Sequence, residues 1–132
     1  EWGCETCSIQ YRNPAAVDLD ACRRFGASPL DPNNWPIHNY YPDFYCCMRS
    51  DEDTDGTDVK RLIIEIKPLC QTERPSPPPV GAKLQEQKRF NQAAKTYMQN
   101  VKKWEAAIEW CKLHDMEFKV FTEVTLQKMG II

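Results

Sequence analysis

Two stretches of the chain carry a hydrophobic pattern that leaves little choice of local structure. The first is Leu62-Ile63-Ile64-Glu65-Ile66-Lys67-Pro68. A short, nearly all-apolar run that ends on a proline, which has no N–H to donate, predicts a strand. Side chains alternate along a strand, so Glu65 and Lys67 share one face while Leu62, Ile64 and Ile66 take the other. The second stretch runs from about residue 83 to residue 113. Phe90, Ala94, Tyr97, Val101, Trp104, Ile108 and Cys111 recur there at spacings of four and three. That period predicts a long amphipathic helix with these residues inward. The opposite face carries Lys88, Arg89, Lys95, Lys102, Lys103 and Lys112. It reads either as an ordinary solvated face or as a surface that tracks phosphates. About three heptads is short for a coiled-coil seam, so a helix lying across a small sheet is expected.

The remaining elements are weaker. An aromatic-rich strand is expected from about Ile37 to Met48, and a second buried-type strand over 118–122, followed by a helical turn ending at Met129-Gly130. Ala15 to Phe25 reads as a short helix after Asn13-Pro14, stopped by Gly26. Asp31 to Pro36 is turn chemistry, and the stretch holding Pro75, Pro77, Pro78 and Pro79 is an extended spacer between strand and helix. Strand, strand, Pro-rich link, long helix, strand gives an α/β fold: a small mixed central β-sheet flanked by helices, with a helix crossover. At 132 residues one domain, 1–132, is the natural expectation, with 1–36 its least informative part.

Composition narrows the function classes. No apolar run approaches the roughly 20 residues a membrane span needs, and no signal peptide is visible. The chain opens on Glu1 rather than Met, which leaves room for residues before it. A formal charge of -2 argues against a general nucleic-acid coat protein, although an acidic metal site and an acidic loop can mask a local basic face. Seven cysteines cannot all pair within one chain, and their spacing is unlike a secreted disulfide framework, so a reducing compartment is expected. Cys4-Glu5-Thr6-Cys7 is a lone CxxC; a zinc site needs a second ligand pair, so inert thiols are the favoured reading. In the acidic stretch 50–58, Asp51, Asp53, Asp55 and Gly56 fit the opening of an EF-hand loop, but Leu62 stands where the bidentate Glu belongs. A solvated turn between two strands is favoured over a weak calcium-modulated module.

The candidate chemistry gathers on Asp43, Glu65 and Lys67. Two carboxylates at strand ends can hold Mg²⁺, which takes oxygen ligands and keeps several waters. A metal so held polarises a phosphate and lowers the pKa of a bound water. The backbone carbonyl of Ile66 completes such a set. Lys67 can orient the water, stabilise charge on phosphorus or act as a base. Antiparallel pairing would set Asp43, in Pro42-Asp43, opposite the Glu65–Lys67 pair. A structural Glu65–Lys67 ion pair is the competing reading of the same residues.

The sequence Pro42-Asp43, then Glu65-Ile66-Lys67, resembles the PD-(D/E)xK nuclease superfamily. The order of His38 to Phe44, Ile64 to Pro68, Gln71, Pro75, Tyr97, Asn100, Lys103-Trp104, Ala107, Cys111, Phe118 to Glu123 and Leu126 resembles one branch more closely, the head completion nucleases of T-even-type tailed phages. The transposon-end nuclease subunits of the Tn7 type share a similar, sparser pattern. The resemblance implies a restriction-endonuclease-like core over 37–126 after a divergent 1–36, and a DNA endonuclease dependent on Mg²⁺ or Mn²⁺. It further implies a virion protein at the head–tail neck, in the host cytoplasm during assembly. Its partners would be double-stranded DNA and portal or neck proteins, with an oligomeric ring as one arrangement and no membrane. Asp43, Glu65 and Lys67 carry over onto the catalytic motif, with Asp43, Glu65 and Ile66 as metal ligands and Lys88, Arg89, Lys95, Lys102 and Lys103 along the DNA. The family adds an acidic residue on an N-terminal helix; Glu5 is the candidate, and the departure of 1–36 from the pattern leaves that ligand, and with it full activity, open. Glu123 is expected to cap or brace the last helix. From a different class comes the alternative of a catalytically quiet connector that keeps the nuclease fold and works by binding portal or neck; a transposon-end endonuclease subunit is the other.

Overall fold

A computed structural model describes residues 7–49 and 59–132. The apolar run predicted as a strand is β4, Val59–Ile66, and it is the centre of a three-stranded sheet. β3, Phe44–Arg49, pairs antiparallel to it from the rung Phe44–Ile64 to the rung Arg49–Val59. β5, Glu117–Phe121, pairs parallel to its other side, with Ile66 against Phe121. The helix crossover that a parallel pair requires is α3, Leu84–Leu113. The expected mixed α/β sheet with one long helix is therefore present, and it is consistent with a restriction-endonuclease-like fold.

The aromatic strand expected over 37–48 is two strands. Pro42, fully buried and without an N–H, interrupts the ladder. Before it, β2, Ile37–Tyr40, pairs antiparallel with β1, Ile9–Arg12, as a separate two-stranded sheet. After it, the chain joins β4. Between β1 and β2 lie a 3₁₀ turn capped by Asn13 and a helix α1, Leu19–Phe25, capped by Asp18. Gly26 ends α1 in the left-handed conformation at φ 64° and sends its N–H to Cys22 O, as a C-terminal glycine does.

Both sheets are closed by α3. Ile9, Tyr11 and Tyr40 from the small sheet, Ile63 from β4, and Ala107 and Cys111 from α3 form one buried cluster. Ile63 is fully buried. Its replacement by Ala is expected to cost about 2–5 kcal/mol, as other large-to-small core changes do. The buried face of α3 is Asn100, Ala107 and Cys111, while Ile108 from the predicted stripe is exposed. The stripe is thus turned by part of a step, and its first turns, through Arg89, lie in solvent. On β4, Leu62 and Ile64 are buried as the alternation predicts, whereas Ile66 is exposed where the sheet ends.

After β4, Pro68 gives way to a one-turn helix, α2, Leu69–Thr72, and the proline stretch that follows is irregular. The last helix is α4, Glu123–Lys128, opened by a capping box between Thr122 and Thr125. No helix among the described residues is long and apolar enough to cross a membrane. The acidic stretch 50–58, with the calcium reading placed on it, and Cys4 lie outside the described residues. Cys22, Cys46, Cys47, Cys70 and Cys111 are free thiols.

Candidate active site

The end of the β3–β4 pair brings the predicted residues together. The ladder's last rung is Phe44–Ile64, and continuing that register by one residue sets Asp43 opposite Glu65. Asp43 Oδ2 accepts the N–H of Ile66 at 2.9 Å, which ties its carboxylate to the strand that bears Glu65 and Lys67. Lys67 Nζ lies 3.1 Å from Glu65 Oε1, as two same-face residues of a strand allow. Glu65 is 4% exposed, so its charge sits where an unpartnered carboxylate would be costly.

The second partner of Glu65 comes from the other sheet. Tyr40 donates its hydroxyl to Glu65 Oε2 at 2.6 Å, the length of a charge-assisted bond to a carboxylate. Burial, then this bond to Glu65, pushes the Tyr40 phenol far above its ordinary value, so it stays a donor. Tyr40 forms part of the matched sequence pattern, yet carries no role at that level. Its place at the end of β2, on the buried side of the β1–β2 sheet, is what aims it at Glu65.

The backbone of Ile66 has a defined direction as well. Lys67 donates its N–H to Phe121 O on β5 at 3.0 Å. In a trans peptide the preceding carbonyl points the opposite way, and there are no cis peptides among the described residues. The Ile66 carbonyl is therefore turned away from β5, toward the side on which Asp43 lies. Asp43, Glu65 and this carbonyl make an all-oxygen donor set, the chemistry of a hard cation such as Mg²⁺ rather than of zinc. Among the described residues no group of three or more His, Cys, Asp or Glu side chains is placed to hold a metal, so a third side-chain ligand would come from elsewhere. Glu5, the candidate for that position, lies outside the described residues.

α3 adds a residue whose place is unlike its expected one. Lys103, expected among the outward cations, is half-buried, with its ammonium 5.9 Å from the ring centre of Tyr11 and 5.7 Å from that of Tyr40. Burial lowers its pKa and the charge of Lys67 lowers it further, while Glu65 and Asp43 pull it back. Lys102 instead lies over Trp35 and pairs with Glu105 at 3.0 Å. Lys88, Arg89 and Lys95 are exposed on the first turns of α3. Glu123 accepts the N–H of Leu69 at 2.8 Å and so braces the start of α2, whereas the last helix, α4, is capped by Thr122 and not by Glu123.

A mixed sheet with an aspartate at the start of one strand and a Glu-x-Lys pair on its neighbour has the arrangement that the PD-(D/E)xK pattern describes. The family model described as TnsA-like endonuclease, N terminal, matches residues 1–123. The chain belongs to that family of restriction-endonuclease-like nucleases. None of the curated proteins matches the chain, and none of the solved structures does.

Proposed function

We propose that the protein is a DNA endonuclease that hydrolyses phosphodiester bonds of double-stranded DNA at Asp43, Glu65 and Lys67, with Mg²⁺ or Mn²⁺ as cofactor. The observation that carries this reading is the hydrogen bond from Ile66 to Asp43, which draws the carboxylate of one strand onto the Glu65-Ile66-Lys67 segment of the next. Asp43, Glu65 and the Ile66 carbonyl are the residues that would hold the ion, with Glu5 as a further acidic ligand. When bound, it supplies Lewis-acid polarisation of the phosphate and a more acidic water. Tyr40 fixes the orientation of the Glu65 carboxylate. Lys67, held 3.1 Å from that carboxylate, is placed to orient the attacking water or to balance charge on the phosphate. Lys88, Arg89, Lys95 and Lys102 supply cations for the flanking phosphates along α3.

Family membership favours action at DNA ends of the transposon type. The second reading, a head completion protein at the portal and neck of a virion, is supported by the residue order over 38–126. That reading carries portal or neck proteins as partners, an oligomeric ring, and presence in the host cytoplasm during assembly; a catalytically quiet connector is its extreme form.

The test is cleavage of supercoiled plasmid by the wild type and by Asp43→Ala, in Mg²⁺ or Mn²⁺, with and without chelator. Cleavage that needs both the ion and Asp43 is the expected result. A wild type that nicks nothing in either ion removes the endonuclease and leaves the connector, for which co-sedimentation with virions would then be the measurement.

A further inference from the structure

Lys102, Lys112 and Lys119 each have a glutamate within ion-pair distance, and Lys67 has Glu65. Lys103 is different. Among the described residues its ammonium has two aromatic faces beside it, Tyr11 and Tyr40, and no carboxylate in direct contact. Aromatic faces hold a cation without neutralising it. Both rings are themselves fixed. Tyr40 is bonded through its hydroxyl to Glu65 at 2.6 Å, and Tyr11 accepts from Gln99 Nε2 at 3.0 Å, one turn before Lys103 on the same helix. The seat therefore gives Lys103 a set position over the centre that Tyr40 joins. It also puts a second positive group within the field of the centre, where the charge of Lys67 opposes it and those of Glu65 and Asp43 favour it. Lys67 already pairs with Glu65 at 3.1 Å, so Lys103, with no carboxylate in direct contact among the described residues, is the cation open to an incoming anion.

We propose that Lys103 is a substrate-contacting residue of this centre, held by Tyr11 and Tyr40 so that its ammonium meets a non-bridging oxygen of the phosphate being cleaved. The proposal rests on the endonuclease reading and adds a residue from α3 to a site otherwise built from strands. In the hydrolysis, water adds its oxygen to phosphorus while one P–O ester bond breaks. The electron pair leaves on the ester oxygen, which takes up a proton. Between those events the non-bridging oxygens carry extra negative charge, and Lys103 lies opposite it. No bond to Lys103 forms or breaks. Charge stabilisation of this kind is made chiefly in the transition state, so its loss lowers kcat more than it raises KM.

The experiment uses the full chain, with Lys103→Met and Lys103→Arg, on plasmid DNA in Mg²⁺ and Mn²⁺. Lys103→Met is expected to lose roughly 10²–10³ in kcat, the scale for removing one transition-state donor, with KM for DNA little changed and the circular dichroism spectrum intact. Lys103→Arg, which keeps the charge, is expected to recover most of the rate. In parallel, the side-chain resonance of Lys103, assigned by its absence from Lys103→Met, is expected to shift when a short duplex is titrated in Ca²⁺. Wild-type kcat in Lys103→Met, or a loss confined to KM, overturns the proposal and leaves the endonuclease standing. A wild type that neither cleaves nor shifts any lysine resonance with the duplex overturns the endonuclease, and this assignment with it.

Discussion

Tyr40→Phe isolates the contact on which the geometry of the site depends. The substitution keeps the ring that packs in the core and under Lys103, and removes only the hydroxyl that reaches Glu65 Oε2 at 2.6 Å. Glu65 is 4% exposed, so no water readily replaces the lost donor, and Lys67 is left as its charged partner. A hydrogen bond to a buried charged group contributes about 1.5–3 kcal/mol. For a chain of this size, the loss corresponds to a fall in Tm of very roughly 5–12 °C. The same change should weaken cleavage at limiting Mg²⁺ by about 10–100-fold, the usual effect of removing a group that orients a metal ligand. A pH arm gives an independent reading. The phenol ionises near 10.0 in the unfolded chain and far higher in the folded one. Above pH 10 the unfolded state has therefore lost a proton that the folded state keeps, and stability falls by about 1.4 kcal/mol per pH unit from this group. Tyr40→Phe should lack that component. Thermal melts followed by circular dichroism, with the exposed Tyr41→Phe as control, make the measurement. A Tyr40→Phe melt equal to the control at neutral pH, with the same alkaline slope as wild type, would refute the reasoning.

Three other outcomes follow from the same structure. Glu123→Ala should remove the brace on Leu69 N–H, cost about 0.5–1.5 kcal/mol in urea unfolding, and leave the cleavage rate unchanged, since Glu123 supports α2 and is not drawn onto the metal ligands. Burial, with a smaller contribution from Cys7, raises the Cys111 thiol from 9.0 to about 11. The unfolded thiol thus ionises first, and stability should fall by about 2 kcal/mol as pH rises from 9 to 11, a component absent from Cys111→Ala. Neutralising Lys88, Arg89 and Lys95 together should weaken DNA binding without changing kcat. It should also flatten the dependence of log affinity on log salt by up to about 0.9 for each phosphate left without its cation, measured by fluorescence anisotropy.

What the sequence disclosed depended on whether the information was local. β4 is local: a run of branched apolar residues ended by Pro68 has few other homes. α3 is local too, and its limits fall within a residue of the periodic pattern. The alternation rule alone put Glu65 and Lys67 on one face, and they are in contact. β1 was not legible, because Ile9-Gln10-Tyr11-Arg12 is too short to show a period and its partner, β2, lies some 25 residues further on. The break at Pro42 was hidden because aromatic residues flank it on both sides, and only the separate pairing of β2 with β1 shows that the strand changes sheets. From the sequence Lys103 reads as one of the outward cations, on a face that is either solvated or along the DNA, because a charged residue off an apolar stripe ordinarily points outward. Its actual seat is made of two tyrosines from β1 and β2, and nothing near Lys103 in the sequence announces them. The same holds for Tyr40, whose partner is 25 residues away across two sheets.

The most direct test of a shared metal at the β3–β4 strand ends is anomalous diffraction from a crystal of the wild type grown or soaked in Mn²⁺, with Asp43→Ala beside it. One peak bonded to oxygens of Asp43, Glu65 and the Ile66 carbonyl, at the roughly 2.0–2.2 Å suited to small hard cations, and lost in Asp43→Ala, is the predicted result. Density that leaves these two carboxylates without a common ion at saturating Mn²⁺, or an ion bound equally well without Asp43, would contradict it.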